Sequence, residues 1–240
     1  MNKIKILAFL LAALPFVLCE TEPVDPYLSG AFDSEVVTSF DDYFPRNTNN
    51  VWRYKTNGRL DSTSVVMSGA VPYEDAMWFK MNHGFDALQP ENAENLVKRI
   101  EDDYLFVTAP VTVTERTTSL RFIISSYKYL ILKENLAQGA TWNQTVNYKY
   151  SPFGFEMPEV DKKFLVESTI IEKNIPVTVN GNRYENVIHV KHVFKDFYSQ
   201  DLIMQQSFWL AKGVGVIRTL SEYENGTTTT KVLDSYTVNE

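Results

Sequence analysis

The sequence predicts a mainly β protein: an antiparallel sheet curled into a half-barrel or barrel-like form, with one short amphipathic helix. Three observations predict it. The 240 residues include 13 Tyr, 15 Phe and 4 Trp, and such rings, with Val, Ile and Thr, suit a half-buried pleated surface. Segments beyond residue 41 alternate with a period of two: Ile188, Val190, His192 and Phe194 share one face, and His189, Lys191 and Lys195 the other, as a strand requires. Asn57-Gly58, Asn180-Gly181 and Asn225-Gly226 each lie between strand-like runs, and Asn-Gly supplies the positive φ angles of a tight hairpin.

The chain opens on an export signal. Lys3 and Lys5 precede an apolar run over residues 6–18, shorter than the ~20 residues a transmembrane helix needs and suited to a signal-peptide core. The sole cysteine, Cys19, ends the run. One reading makes Cys19 a lipid-attachment residue, although Leu18 is larger than the residue usual before such a cysteine. The other is simple cleavage after Cys19. Either places the protein outside the cytoplasm, in the periplasm or at the outer membrane or cell surface, lipid-anchored if Cys19 is acylated. Losing residues 1–19 takes the Lys+Arg count from 23 to 21 against 30 acids, a charge of −9. An acidic chain without a basic stripe is a poor nucleic-acid or anionic-lipid binder.

Residues 20–40 carry five acids and two prolines and read as a linker or an N-terminal arm laid over the domain. Residues 41–240 form one β-rich domain, large enough for a core without disulfides. Within it, residues 90–102 predict the helix. Proline suits the first helical position, and Ala93, Leu96, Val97 and Ile100 fall on one helical stripe.

The search for chemistry is mostly exclusion. His189 and His192 fall on opposite faces of a strand, and His83 sits beside a glycine, so the three histidines make a poor metal set. No Gly-x-Ser-x-Gly elbow, Walker loop or dinucleotide fingerprint occurs. Asp41-Asp42, Asp102-Asp103 and Glu156/Glu159/Asp161 are the carboxylate clusters, and a pair facing across a cleft would serve glycoside hydrolysis. Trp52, Trp78, Trp142 and Trp209 are expected in the core, or lining an apolar cavity.

Several motifs, in order, resemble a family of exported bacterial proteins and lipoproteins of unknown function, of the TapB-like, half-barrel lipoprotein type. Asp42-Tyr43-Phe44-Pro45 followed by Asn50-Val51-Trp52-Arg53-Tyr54 is similar to its opening, with Thr48-Asn49 where Val-Gly is usual. Leu136-Ala137-Gln138-Gly139-Ala140-Thr141-Trp142 and Tyr184-Glu185-Asn186-Val187 resemble inner segments. Trp209-Leu210-Ala211-Lys212-Gly213-Val214-Gly215 resembles its Trp-x-Ala-x-Gly-Val-Gly ending. The resemblance implies a half-barrel of the cell envelope and carries no catalytic residues.

The expectation is therefore a non-enzymatic envelope protein, lipid-anchored through Cys19, binding an apolar ligand or an envelope protein. No catalytic residue, cofactor or metal is expected, no nucleic acid, and membrane contact only through the lipid at Cys19. The alternatives are an exported carboxylate-dependent hydrolase and a structural or assembly protein without a small-molecule ligand.

Overall fold

The computed structural model describes residues 41–82, 94–114, 121–154 and 158–239. Cys19, the leader, residues 20–40, His83 and Glu156 lie outside the described residues. Among the described residues, fifteen strands form one antiparallel sheet. The first six are β1 (Val51–Thr56), β2 (Arg59–Leu60), β3 (Val65–Tyr73), β4 (Ala76–Met81), β5 (Asn95–Ile100) and β6 (Asp103–Val107). Next come β7 (Val111–Thr114), β8 (Arg121–Ile124), β9 (Lys128–Lys133), β10 (Thr141–Pro152) and β11 (Val160–Val179). The last four are β12 (Asn182–Asp196), β13 (Leu202–Ala211), β14 (Gly215–Tyr223) and β15 (Thr228–Thr237).

The order across the sheet is β7-β8-β10-β11-β12-β13-β14-β15-β1-β3-β4-β5-β6-β9, with β2 beside β1. From β10 to β15 it is a plain meander. β1 then joins that meander, through β15, to a second run of strands, through β3.

The expected turns are present, in two forms. Asn180-Gly181, between β11 and β12, has φ of 49° and 81°, and Asn57-Gly58, between β1 and β2, has 49° and 80°. Two successive positive φ values match the twist of a two-residue hairpin. At Asn225-Gly226 only the glycine is positive, at 78°. There the Gly226 N–H donates to the Tyr223 carbonyl and the Tyr223 N–H to that of Thr227, a three-residue loop closed by a left-handed glycine.

The expected helix is wrong over its second half. Residues 95–100 form β5 and residues 103–107 form β6, while 90–93 lie outside the described residues. The apolar spacing misled because this part of the sheet is covered on both faces. Val97 enters the main core, whereas Leu96 and Ile100 pack on a second cluster of Trp78, Leu105, Val107 and Leu130. Apolar residues on both faces of one strand reproduce an i, i+1, i+4 pattern that a helical stripe also contains.

The curl has local causes. The β11–β12 ladder slips between Ile170 and Val177, and Asn174 and Asn186 carry positive φ values of 56° and 52°. Bulges of this kind bend a strand and increase its twist. The curl brings β9, at one edge, against β10. No backbone ladder joins them among the described residues. Instead, the Gln144 side-chain amide donates to the Leu130 carbonyl at 2.9 Å and accepts from the Leu130 N–H at 2.8 Å. One side chain supplies the pair of bonds that a facing residue would make. The sheet is curled, not closed.

Rings fill the interior described. Tyr129 of β9 meets Phe194 and His192 of β12 at 5.8 and 6.0 Å between centroids, and Tyr127 and Phe194 both touch Phe164. A row of polar groups crosses this interior in register: Trp142, Ser168, His192, Gln206 and Ser221, on five adjacent strands. Ser168 Oγ and His192 Nδ1 are 2.8 Å apart, and Gln206 Nε2 donates to Ser221 Oγ at 3.3 Å. Burial pushes the His192 imidazole down to about 3, against a smaller opposing pull from the Ile131 carbonyl.

Two predictions follow from the interior. An unfolded His192 takes up a proton near its usual 6.5, whereas the folded one stays neutral down to about 3. Its contribution is complete above pH 6.5 and is lost as the pH falls, by roughly 2 kcal/mol between pH 7 and pH 5. Urea melts across that range should show the slope, and His192→Phe with Ser168→Ala should flatten it; an unchanged slope removes His192 as the cause. Gln144→Leu should cost roughly 1–3 kcal/mol, because it leaves both Leu130 backbone groups without partners. Amide exchange at Leu130 should quicken in the variant; unaltered protection there would show that the seam is held by something else.

Candidate functional site

The two most telling motifs of the sequence meet at one end of the curled sheet. Asp42 is fully buried. Its Oδ1 accepts the Phe44 N–H at 2.9 Å and its Oδ2 accepts from Arg46 Nε at 2.9 Å, so the carboxylate both turns the chain and neutralises a buried guanidinium. The Asp42 carbonyl accepts the Gly213 N–H at 2.9 Å. The Trp52 indole donates to the Val214 carbonyl at 2.6 Å, and the Tyr54 hydroxyl to the Val216 carbonyl at 2.7 Å. Gly215 has φ of 105°, and a Cβ there would lie 3.3 Å from Trp52 Nε1 and 3.6 Å from Pro45 Cδ. Gly213-Val214-Gly215 is thus a docking turn for the opening segment: its glycines permit both the backbone conformation and the close approach.

Beside this junction opens a cleft of about 510 Å³, lined by Asp41, Tyr43, Asp102, Glu134, Asn135, Lys173, Asn174, Asn186 and Lys212. Glu134, just past β9, organises it. Its Oε2 accepts from Arg99 Nη2 at 3.0 Å and from the Tyr104 hydroxyl at 3.3 Å. Its Oε1 lies 3.3 Å from Lys212 Nζ, which reaches Asp41 Oδ1 at 3.6 Å. Lys173 Nζ donates to the Glu134 and Leu136 carbonyls at 2.6 and 2.9 Å, pinning the β9–β10 turn. The Tyr43 hydroxyl donates to the Asn186 carbonyl, and its burial, aided by the Glu134 charge, pushes its pKa up to about 12. Tyr104 is also pushed up, by burial first and then by the Asp42 charge. Both phenols are protonated at neutral pH, as an ordinary tyrosine is, and donate to the Asn186 carbonyl and to Glu134.

The carboxylate clusters are dispersed by the fold. Asp42 is inside with Arg46, while Asp41 lines the cleft with Lys212. Asp102 lies 3.6 Å from Arg99, and Asp103 lies 3.1 Å from Lys133. Glu159 pairs with Lys149 at 2.7 Å at the other end of the molecule. Asp41, Asp102 and Glu134 share the cleft, but each is matched by a cation. Such an arrangement presents fixed, compensated charges and amides to a polar partner. Sequence reasoning missed Glu134, Lys173 and Arg99, because they converge from separate hairpins. Lys212, Tyr43 and Asn186 had a signal in the family-like motifs, and Asp41 and Asp102 in the carboxylate doublets.

The four tryptophans divide. Trp52 and Trp78 are core, while Trp142 and Trp209 are partly buried. Trp209 lies on the outer face, between the His189 ring, stacked at 4.0 Å, and the Arg218 guanidinium at 4.6 Å. His189 also meets Glu172 Oε2 at 3.3 Å. His189 and His192 point to opposite faces, as their spacing predicts.

No protein-family model matches the chain, and no curated protein matches it. Among solved structures, it is similar to a candidate lipoprotein from Parabacteroides distasonis, at 14% identity and a TM-score of 0.43, over 81% of this chain and 98% of that one. It is also similar to the hypothetical lipoprotein YmcC of Escherichia coli, at 10% identity and 0.40, over 84% and 89%. A candidate exported protein with a YmcC-like fold from Bacteroides fragilis gives 10% and 0.40, over 81% and 98%. TM-scores below 0.5 fix neither a family nor a function for the chain.

The docking turn makes a direct prediction. Gly215→Ala should destabilise the domain by roughly 1–3 kcal/mol, from positive-φ strain and displacement of the Trp52 indole. Chemical melts with tryptophan fluorescence would measure it, and a change within ~0.5 kcal/mol would mean that the turn relaxes freely.

Proposed function

We propose that the chain is a non-enzymatic protein of the cell envelope, tethered by a lipid on Cys19 and acting as a binding module through the cleft around Glu134. The observation that carries the binding reading is the lining of that cleft: its carboxylates form compensated pairs with Arg99 and Lys212, and Lys173 and Tyr43 are fixed on backbone carbonyls. A polar envelope partner fits such a lining better than an apolar ligand does. The packing of Tyr129, Phe164, Phe194 and His192 against one another also weighs against apolar cargo in that part of the interior. The leader and Cys19 support the tether.

Two measurements test the two halves. Metabolic labelling with palmitate should mark the wild type and not Cys19→Ser, which should move from the membrane to the soluble fraction. An unlabelled wild type that is soluble from the outset overturns the tether. A photo-crosslinking residue at exposed Asn135, on the cleft, should give a discrete adduct in cells, while one at exposed Glu222, on the outer face, should not. Equal or absent adducts at both positions reject the cleft as the binding surface.

A further inference from the structure

The end of the sheet opposite the cleft is unlike the rest of the surface. Of the eight exposed large hydrophobic residues described, five lie there: Phe153, Val160, Phe197, Tyr198 and Ile203. The register places them together. Hairpins β10–β11, β12–β13 and β14–β15 all turn at this end, and the other connections of the meander turn at the cleft end. Phe164 and Asp196 form the last β11–β12 pair, so Val160 stands on a hairpin that projects past its neighbour.

The tips are held ready. Asp196 Oδ1 accepts the Tyr198 and Ser199 N–H groups, each at 2.9 Å, fixing a turn that leaves Tyr198 71% exposed. Tyr198 stands edge-on to Phe197 at 5.2 Å. Lys163 Nζ lies 5.7 Å from the Phe197 ring centre, and the Arg121 guanidinium 4.2 Å from that of Phe153. Aromatic rings beside long cationic side chains suit the boundary between lipid headgroups and acyl chains, where the ring enters and the charge stays wet. Acids at the same end, among them Asp161, Asp201 and Glu224, offset the cations, so insertion of rings and not anionic attraction must supply the affinity.

From these tips we infer that this end is a second membrane contact, dipping Phe197, Tyr198 and Phe153 into a bilayer interface. The length of chain ahead of Asp41 allows both contacts on one membrane. The 21 residues from 20 to 40 can extend roughly 70 Å, whereas the 12-residue β10 spans only about 40 Å. A tether converts weak insertion into an intramolecular event, so few rings suffice. The inference rests on the tether reading for its role in the cell, but not for its test.

The test uses the unacylated mature chain, exported under a cleavable leader so that it begins at Glu20, with neutral phosphatidylcholine vesicles. It should co-sediment at millimolar lipid, with little dependence on salt, and Phe197→Ser with Tyr198→Ser should weaken partitioning roughly tenfold. Both positions are exposed, so far-UV circular dichroism should be unchanged in the variant. No sedimentation, equal sedimentation of the variant, or lipid-independent dimers that the variant abolishes would each overturn the inference. Failure of palmitate labelling would instead bear on the tether alone.

Discussion

The architecture hangs on β1. Along one edge it pairs with β15 and along the other, for two residues, with β3, and no other ladder joins the two runs of strands among the described residues. So slender a splice needs support from outside its ladders. Trp52 and Tyr54 give it by hydrogen-bonding to the backbone that opens β14, and Asn50 by bonding the Pro45 carbonyl and the Asn239 N–H. The glycines of the docking turn, the buried Asp42–Arg46 pair and the cleft beside them all depend on this seating.

The polar row across the interior works in another way. A buried imidazole with Ser168 on one nitrogen adds little net stability at neutral pH. It does penalise alternative registers, because a one-residue slip would turn the polar positions of a strand toward the opposite face. Specification of pairing, more than strength, is what such a row supplies to a sheet whose strands otherwise offer similar aromatic and β-branched faces.

Strand alternation and the Asn-Gly turns made the meander legible in the sequence, because each is local. The short β5 was not legible: Leu96, Val97 and Ile100 satisfy both a helical stripe and a strand covered on two faces, and only the tertiary neighbours decide. The opening and closing motifs were visible, but not that they touch, since Trp52 and Val214 are 162 residues apart. The cleft was the least visible part. Glu134, Lys173 and Arg99 are ordinary charged residues until three hairpins bring them together, and the carboxylate doublets, which looked like chemistry, lie in the segment ahead of β1 and at the β5–β6 turn, where each acid takes its own cation.

The place of β1 also sets the order of events in biogenesis. Its principal partner, β15, is made long after it, their paired residues being some 180 positions apart. The long-range contacts that unite the sheet cannot form before β15 has been made, and closing so large a loop is intrinsically slow. Hairpins of the meander can pair as they appear, but the two runs of strands stay unjoined until β15 arrives.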